Sequence, residues 1–139
     1  MLERISREQM FMDIAKTVSK RSTCTRKQVG CVLVLENRVI AIGYNGVLPG
    51  RPEEEGLDEE GVSHTVHAEA NVISFCAKLG IPTNSCSIYV TLQPCEKCAE
   101  LIIQSGIKEV VYLEEYRCDK GITLLNKNNI KIRKYAECL

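Results

Sequence analysis

His67 and Glu69, followed further along by Pro94, Cys95 and Cys98, are the residues of this chain whose types and spacing could do chemistry. One imidazole and two thiolates supply three ligands for a tetrahedral Zn²⁺ and leave a fourth position for water, the arrangement of catalytic rather than structural zinc. Cys95 and Cys98 stand three residues apart, so on a helix they share one face and can grip a single ion. With Pro94 leading into that helix, both also lie near its positive end, which favours the thiolate. Glu69 stands two residues beyond His67, a spacing that does not stack two side chains on one helix face. It reads as an acid–base group beside the metal and not as a fourth ligand. Zinc lowers the pKa of bound water from 15.7 to roughly 7, and a neighbouring carboxylate can take the released proton and pass it to a ring nitrogen and a leaving amine.

Each half of the pattern is weak alone. A lone Cys-x-x-Cys serves redox pairs, half zinc ribbons and buried thiols. Here no second Cys-x-x-Cys closes a ribbon, and a redox pair leaves Glu69 unexplained. In this order, His-x-Glu and then Pro-Cys-x-x-Cys is the known signature of zinc nucleobase deaminases. A non-catalytic zinc module is the rival of a different class, and it has no need of Glu69.

At 139 residues the chain suffices for one domain, read as 1–139, with a real core. Lys+Arg and Asp+Glu both number 18, so the chain is neutral and lacks the electrostatic footprint of a nucleic-acid binder. No apolar run reaches membrane-span length, and Met1-Leu2-Glu3-Arg4 lacks a signal-peptide pattern. A cytoplasmic protein without membrane contact is the expectation. Beyond the metal candidates, Cys24, Cys31, Cys76, Cys86, Cys118 and Cys138 are irregularly spaced and read as free thiols of a reducing compartment. Some of Cys24, Cys31 and His64 could hold a second, structural metal.

The elements that must position these groups follow from patterning. Ser6 to Gln9 resembles a helix start, and Met10, Ile14 and Val18 recur at helical spacing, predicting a helix over 6–20. The apolar run 29–35 suits a strand covered on both faces, 36–38 a turn, and 39–43 the returning strand. Residues 49–61 are rich in Glu and read as a solvated loop or lid. His67 opens a second helix that Gly80 and Pro82 stop. Residues 86–92 form a third strand, Cys95 to about 104 a third helix, 110–113 a fourth strand, 119–129 a short helix and 130–135 a last strand. A hairpin followed by alternating strands and helices predicts an α/β protein, a three-layer α/β/α sandwich around a central mixed five-stranded sheet. Both metal half-sites fall at helix starts.

Several runs resemble the deoxycytidylate (dCMP) deaminase family of the cytidine deaminase-like superfamily: Arg21-Ser22-Thr23-Cys24-Thr25-Arg26, Val29-Gly30-Cys31-Val32-Leu33-Val34, Gly43-Tyr44-Asn45-Gly46, Thr65-Val66-His67-Ala68-Glu69-Ala70-Asn71 and Pro94-Cys95-Glu96-Lys97-Cys98-Ala99. The resemblance spans about residues 8–117. It implies hydrolysis of dCMP to dUMP and ammonia for thymidylate synthesis, with His67, Cys95 and Cys98 holding Zn²⁺, a zinc hydroxide attacking C4 and Glu69 shuttling protons. It further implies that Asn45 holds the sugar, Val66 packs on the pyrimidine, Arg26 and Arg117 bind the 5′-phosphate and Tyr116 is a wall or gate. Relatives are commonly homohexamers, activated by dCTP with Mg²⁺ and inhibited by dTTP near Gly43, Tyr44 and Gly46. The stretch from Gly46 to His64 carries no cysteine, where many relatives place one for a second zinc. Deaminases of dCTP, of cytidine or of tRNA adenosine share the metal signature. The neutral charge disfavours the last, and a riboflavin-pathway deaminase normally carries a reductase domain for which this length has no room.

Overall fold

Leu35 and Arg38 face each other across a two-residue turn in which Glu36 and Asn37 both take positive φ, 51° and 64°. That geometry matches the twist of the flanking strands. It joins β1 (Gly30–Leu35) to β2 (Arg38–Tyr44) as an antiparallel hairpin. The remaining elements are α1 (Arg7–Ser19), α2 (Ala68–Leu79), β3 (Ser87–Leu92), α3 (Glu96–Gln104), β4 (Glu109–Glu114), α4 (Lys120–Lys127) and β5 (Lys131–Lys134). The structure, a computed structural model, describes residues 2–50 and 65–137. Most of the predicted acidic loop, together with His64 and Cys138, lies outside the described residues.

The strands form one sheet in the order β2-β1-β3-β4-β5. β1 pairs antiparallel with β2 and β3, whereas β3, β4 and β5 run parallel, so the sheet is mixed as expected. The two parallel steps are bridged by α3 and α4, the crossover that parallel neighbours require. β1 is buried on both faces. Cys31 and Leu33 join a core with Ala68 and Val72 of α2, Ala99 and Ile102 of α3 and Leu125 of α4. Val32 and Val34 join a second core with Phe11, Met12 and Ala15 of α1. One helix therefore covers one face and three cover the other. No helix among the described residues is long and apolar enough to cross a membrane.

Ser6 caps α1 by accepting a hydrogen bond from the Gln9 amide at 3.0 Å. The expected repeat along that helix holds at Val18, which is buried, and fails at Met10. Met10 is exposed and Ile14 only half-buried, while Phe11, Met12, Ala15 and Val18 face the sheet. Close approach explains the choice. A Cβ on Gly30 of β1 would lie 2.2 Å from the Ala15 carbonyl oxygen and 2.4 Å from the Ser19 nitrogen. The helix rests directly on β1 backbone, and only the stripe containing small Ala15 allows that contact.

Candidate metal centre and active site

His67 and Cys95 occupy the same position on two different helices: each is the N-cap residue, of α2 and α3 respectively. Glu69 then falls in the first turn of α2, and Cys98 in the first turn of α3. Both helices lie on the same face of the sheet, so two N-termini with unpaired backbone amides bring their partial positive charge to one place. Negative sulfur and carboxylate are favoured there.

The donor atoms fit zinc. Nδ1 of His67 lies 3.5 Å from the Cys95 sulfur and 3.3 Å from the Cys98 sulfur, and the three donors all lie within 4.8 Å of one another. Zinc bond lengths of about 2.1 Å to nitrogen and 2.3 Å to sulfur, at tetrahedral angles, put such donors about 3.5 Å apart. Among the described residues this is the metal-donor cluster. Cys24 and Cys31 are not in it. The Cys31 thiol is buried and donates to the Ala68 carbonyl at 3.4 Å.

The electrostatics suit a cation. The Cys98 thiol, hydrogen-bonded to Cys95, lowers the Cys95 thiol to about 3, with His67 acting in the same direction. The Cys98 thiol is pushed up by that shared proton and by burial. The pair therefore sheds one proton easily and holds the second, which is the proton a metal displaces. Hydrogen bonding to Cys95 raises the His67 imidazole. Burial pushes the Glu69 carboxyl up to about 7, against the pull of its own backbone amide and of His67.

His67, Glu69 and Cys95 open into a cavity of about 230 Å³. Of the expected substrate contacts, Arg26, Asn45 and Tyr116 line this cavity. Val66 and Arg117 are not among the lining residues. Val66 forms a two-way backbone bridge with Gly46, at 3.1 and 2.7 Å, one residue before the metal ligand. Arg117 is exposed beyond the end of β4. The Asn45 side chain is buried and knits the preceding loop together. Its Oδ1 accepts from the Ser22 hydroxyl at 2.5 Å and the Val29 amide at 2.8 Å, and its Nδ2 donates to the Lys27 carbonyl at 2.7 Å. These bonds use one of its two amide protons. Of the residues expected near an effector, Gly43 lies against Ala68 and Val72, and the Tyr44 carbonyl accepts from Asn71 of α2 at 3.0 Å.

Sequence reasoning passed over Lys27 and Gln93, which also line the cavity. Lys27 was legible as a second cation beside Arg26, but its ion pair with Glu114 is not. The sign for Gln93 was a polar residue between an apolar strand and the Pro94-Cys95 ligand loop.

Gly121 of α4 supports the ligand loop from behind. A Cβ there would sit 2.3 Å from the Pro94 carbonyl oxygen and 3.0 Å from the Cys95 carbonyl carbon and oxygen. Ala is favoured over Gly by up to about 1 kcal/mol inside a helix, so Gly121→Ala should keep α4 intact while displacing the Cys95 backbone. The expected result is an unchanged circular dichroism spectrum and zinc affinity, by chelator competition, about 10-fold weaker, as for lost support of a ligand. Wild-type affinity would show that α4 yields instead of the ligand loop.

Comparison with known proteins places this geometry. Residues 5–114 match the family model described as the cytidine and deoxycytidylate deaminase zinc-binding region. ComE operon protein 2 of Bacillus subtilis is 44% identical over 120 residues, which cover 84% of this chain and 64% of that protein. The chain thus spans just under two thirds of that relative. The deoxycytidylate deaminase of Homo sapiens is 37% identical over 139 residues, 90% of this chain and 77% of the human one. Among solved structures, a dCMP deaminase from the cyanophage S-TIM5 in complex with dCMP and dUMP superposes with a TM-score of 0.87 at 28% identity, covering 96% of this chain and all of that one.

Proposed function

The chain belongs to the cytidine and deoxycytidylate deaminase family, and from that premise we propose that it hydrolyses dCMP to dUMP and ammonia. One observation carries the reading. A buried carboxyl, Glu69, stands beside a three-donor zinc site in a cavity lined also by Arg26 and by Lys27, whose ammonium is paired with Glu114. Held by His67, Cys95 and Cys98, zinc would supply a Lewis acid that makes water acidic enough to act as a nucleophile near neutral pH. Glu69 takes one proton from the attacking water and gives it to ring N3, then takes the remaining proton from the new C4 hydroxyl and gives it to the departing amine. Burial favours its neutral form, so the carboxyl can hold the proton between those transfers. Asn45 meets the sugar with the amide proton that its loop contacts leave over. Tyr116 walls the base and Arg26, which lines the cavity, meets the 5′-phosphate, for which the planar guanidinium offers paired donors. Val66 and Arg117 stand outside the cavity lining, so their contacts with the pyrimidine and the phosphate require the substrate to reach beyond it.

The finer expectations belong to the same proposal. Effectors of the dCTP and dTTP kind, with Mg²⁺, act at Gly43, Tyr44 and Gly46. The bridge between Gly46 and Val66 gives that run a direct mechanical link to His67. The protein works as a homohexamer in the cytoplasm, a compartment consistent with seven free cysteines among the described residues.

The test is ultraviolet-monitored deamination of dCMP, CMP, deoxycytidine and dCTP offered separately, each with and without dCTP–Mg²⁺ and dTTP. The expected outcome is preference for dCMP over deoxycytidine by about 10- to 100-fold in kcat/KM, the worth of a hydrogen bond to a charged group at 1.5–3 kcal/mol. Preference for dCTP or for the nucleoside would keep the zinc chemistry and overturn the phosphate roles of Arg26 and Arg117.

A further inference from the structure

Gln93 stands where β3 ends and the ligand loop begins, directly before Pro94 and Cys95. It is 3% exposed, and it reaches three alternate residues of the neighbouring segment. Its backbone amide donates to the Glu114 carbonyl at 2.9 Å, its Oε1 accepts from the Tyr116 amide at 3.3 Å, and its Nε2 donates to the Cys118 carbonyl at 3.1 Å. Contacts to residues 114, 116 and 118 follow the two-residue period of a strand ladder. β3 pairs with β4 up to Leu92 opposite Glu114. At Pro94 the main chain has no N–H to donate and turns away toward the metal. The Gln93 carboxamide holds the neighbouring chain beyond that point, where β4 has ended and residues 116–118 pass through a bend at Arg117.

The segment held in this way carries Tyr116, which lines the cavity beside Cys95 and Gln93 itself. Exposed ion pairs from Lys27 to Glu114 and from Lys134 to Glu115 add attachments that solvent screens. The two side-chain bonds of Gln93 are part-buried, they start from a residue that is itself buried, and each is made to backbone. One residue thus joins the ligand loop to the wall facing it.

We propose that Gln93 is a positioning residue for substrate: its carboxamide fixes residues 116–118 so that Tyr116 closes the cavity, and it acts through Tyr116 and not through the metal. The kinetic half of this inference rests on the reading of the cavity as the nucleotide site. The structural half does not.

Gln93→Leu keeps the volume and removes both side-chain bonds, and Gln93→Asn keeps the amide but is one methylene too short to reach both partners. Zinc per chain, dCMP kinetics and hydrogen exchange of the backbone amides are measured in the wild type, in both variants, in Tyr116→Ala and in Gln93→Leu combined with Tyr116→Ala. The expected result for Gln93→Leu is zinc unchanged, kcat within about threefold and KM raised about tenfold. Exchange should quicken at residues 116–118 and stay unchanged in α2 and α3, with Gln93→Asn intermediate. In the Tyr116→Ala background, Gln93→Leu should raise KM by clearly less than the roughly tenfold it costs the wild type, because the route through Tyr116 is already gone and only Arg117 of the same segment is left to be displaced. Additive effects on KM, a fall in zinc, or unchanged exchange at 116–118 would each overturn the proposal. A wild type that leaves dCMP untouched defeats the functional reading alone, and the exchange data still decide whether Gln93 holds the wall.

Discussion

Glu69→Gln is expected to lower kcat for dCMP by at least about 10³-fold while zinc stays bound at wild-type stoichiometry. General acid–base catalysis by a placed side chain contributes about 10²–10⁴-fold, and here one carboxyl serves several proton transfers in a single turnover. Zinc should stay because the carboxyl is not among the clustered donors, which are His67, Cys95 and Cys98. The fold should survive as well. Glu69 is 4% exposed, and burial is the main force raising its pKa, so a neutral amide of equal size removes a desolvation cost. Steady-state kinetics with metal analysis decide the matter. Activity within tenfold of wild type would remove Glu69 from the chemistry, and loss of zinc would make it a ligand. The non-catalytic module predicts no effect on any activity.

The site was legible because its chemistry is local in sequence. His67 and Glu69 share one helix start, Cys95 and Cys98 another, and each spacing works only with its own first turn. The sheet was legible from β1, whose unbroken apolar run demands cover on both faces, and from alternation of strands with helices after the hairpin. Tertiary contact decided what could not be read. The apolar residues of α1 make two overlapping stripes, and the backbone of Gly30 selected the one containing Ala15. Asn45-Gly46 reads as a turn or a sugar contact. That the Asn45 carboxamide would gather Ser22, Lys27 and Val29 depends on a loop folding back across 16 to 23 residues. Gln93 is one polar residue in sequence, and its role needs the parallel register of β3 with β4.

Cys98→Ser separates metal binding from proton transfer, and it should act in the opposite sense to Glu69→Gln: zinc is lost and activity goes with it. Cys98 is 2% exposed, so its thiolate is the ligand best shielded from water, while His67 is exposed and Cys95 half-buried. Structural zinc sites hold their metal by about 10–16 kcal/mol over four ligands. Removing one ligand of three should therefore cost at least about 2–3 kcal/mol, or about 10²-fold in affinity. A serine hydroxyl stays protonated near neutral pH and does not replace the thiolate, but it can hydrogen-bond to His67, so the first turns of α2 and α3 should hold their places. Stability supplies a readout independent of turnover. A ligand present at about 1,000 times its Kd stabilises the folded state by about 4 kcal/mol, which for a chain of this size shifts Tm by roughly 10 °C. The wild type should lose that increment when zinc is chelated. Cys98→Ser should begin near the lower value and respond little to chelator. A variant that keeps both its zinc and its chelator-sensitive Tm would mean that His67 and Cys95 hold the metal without Cys98, and the three-donor site would fall.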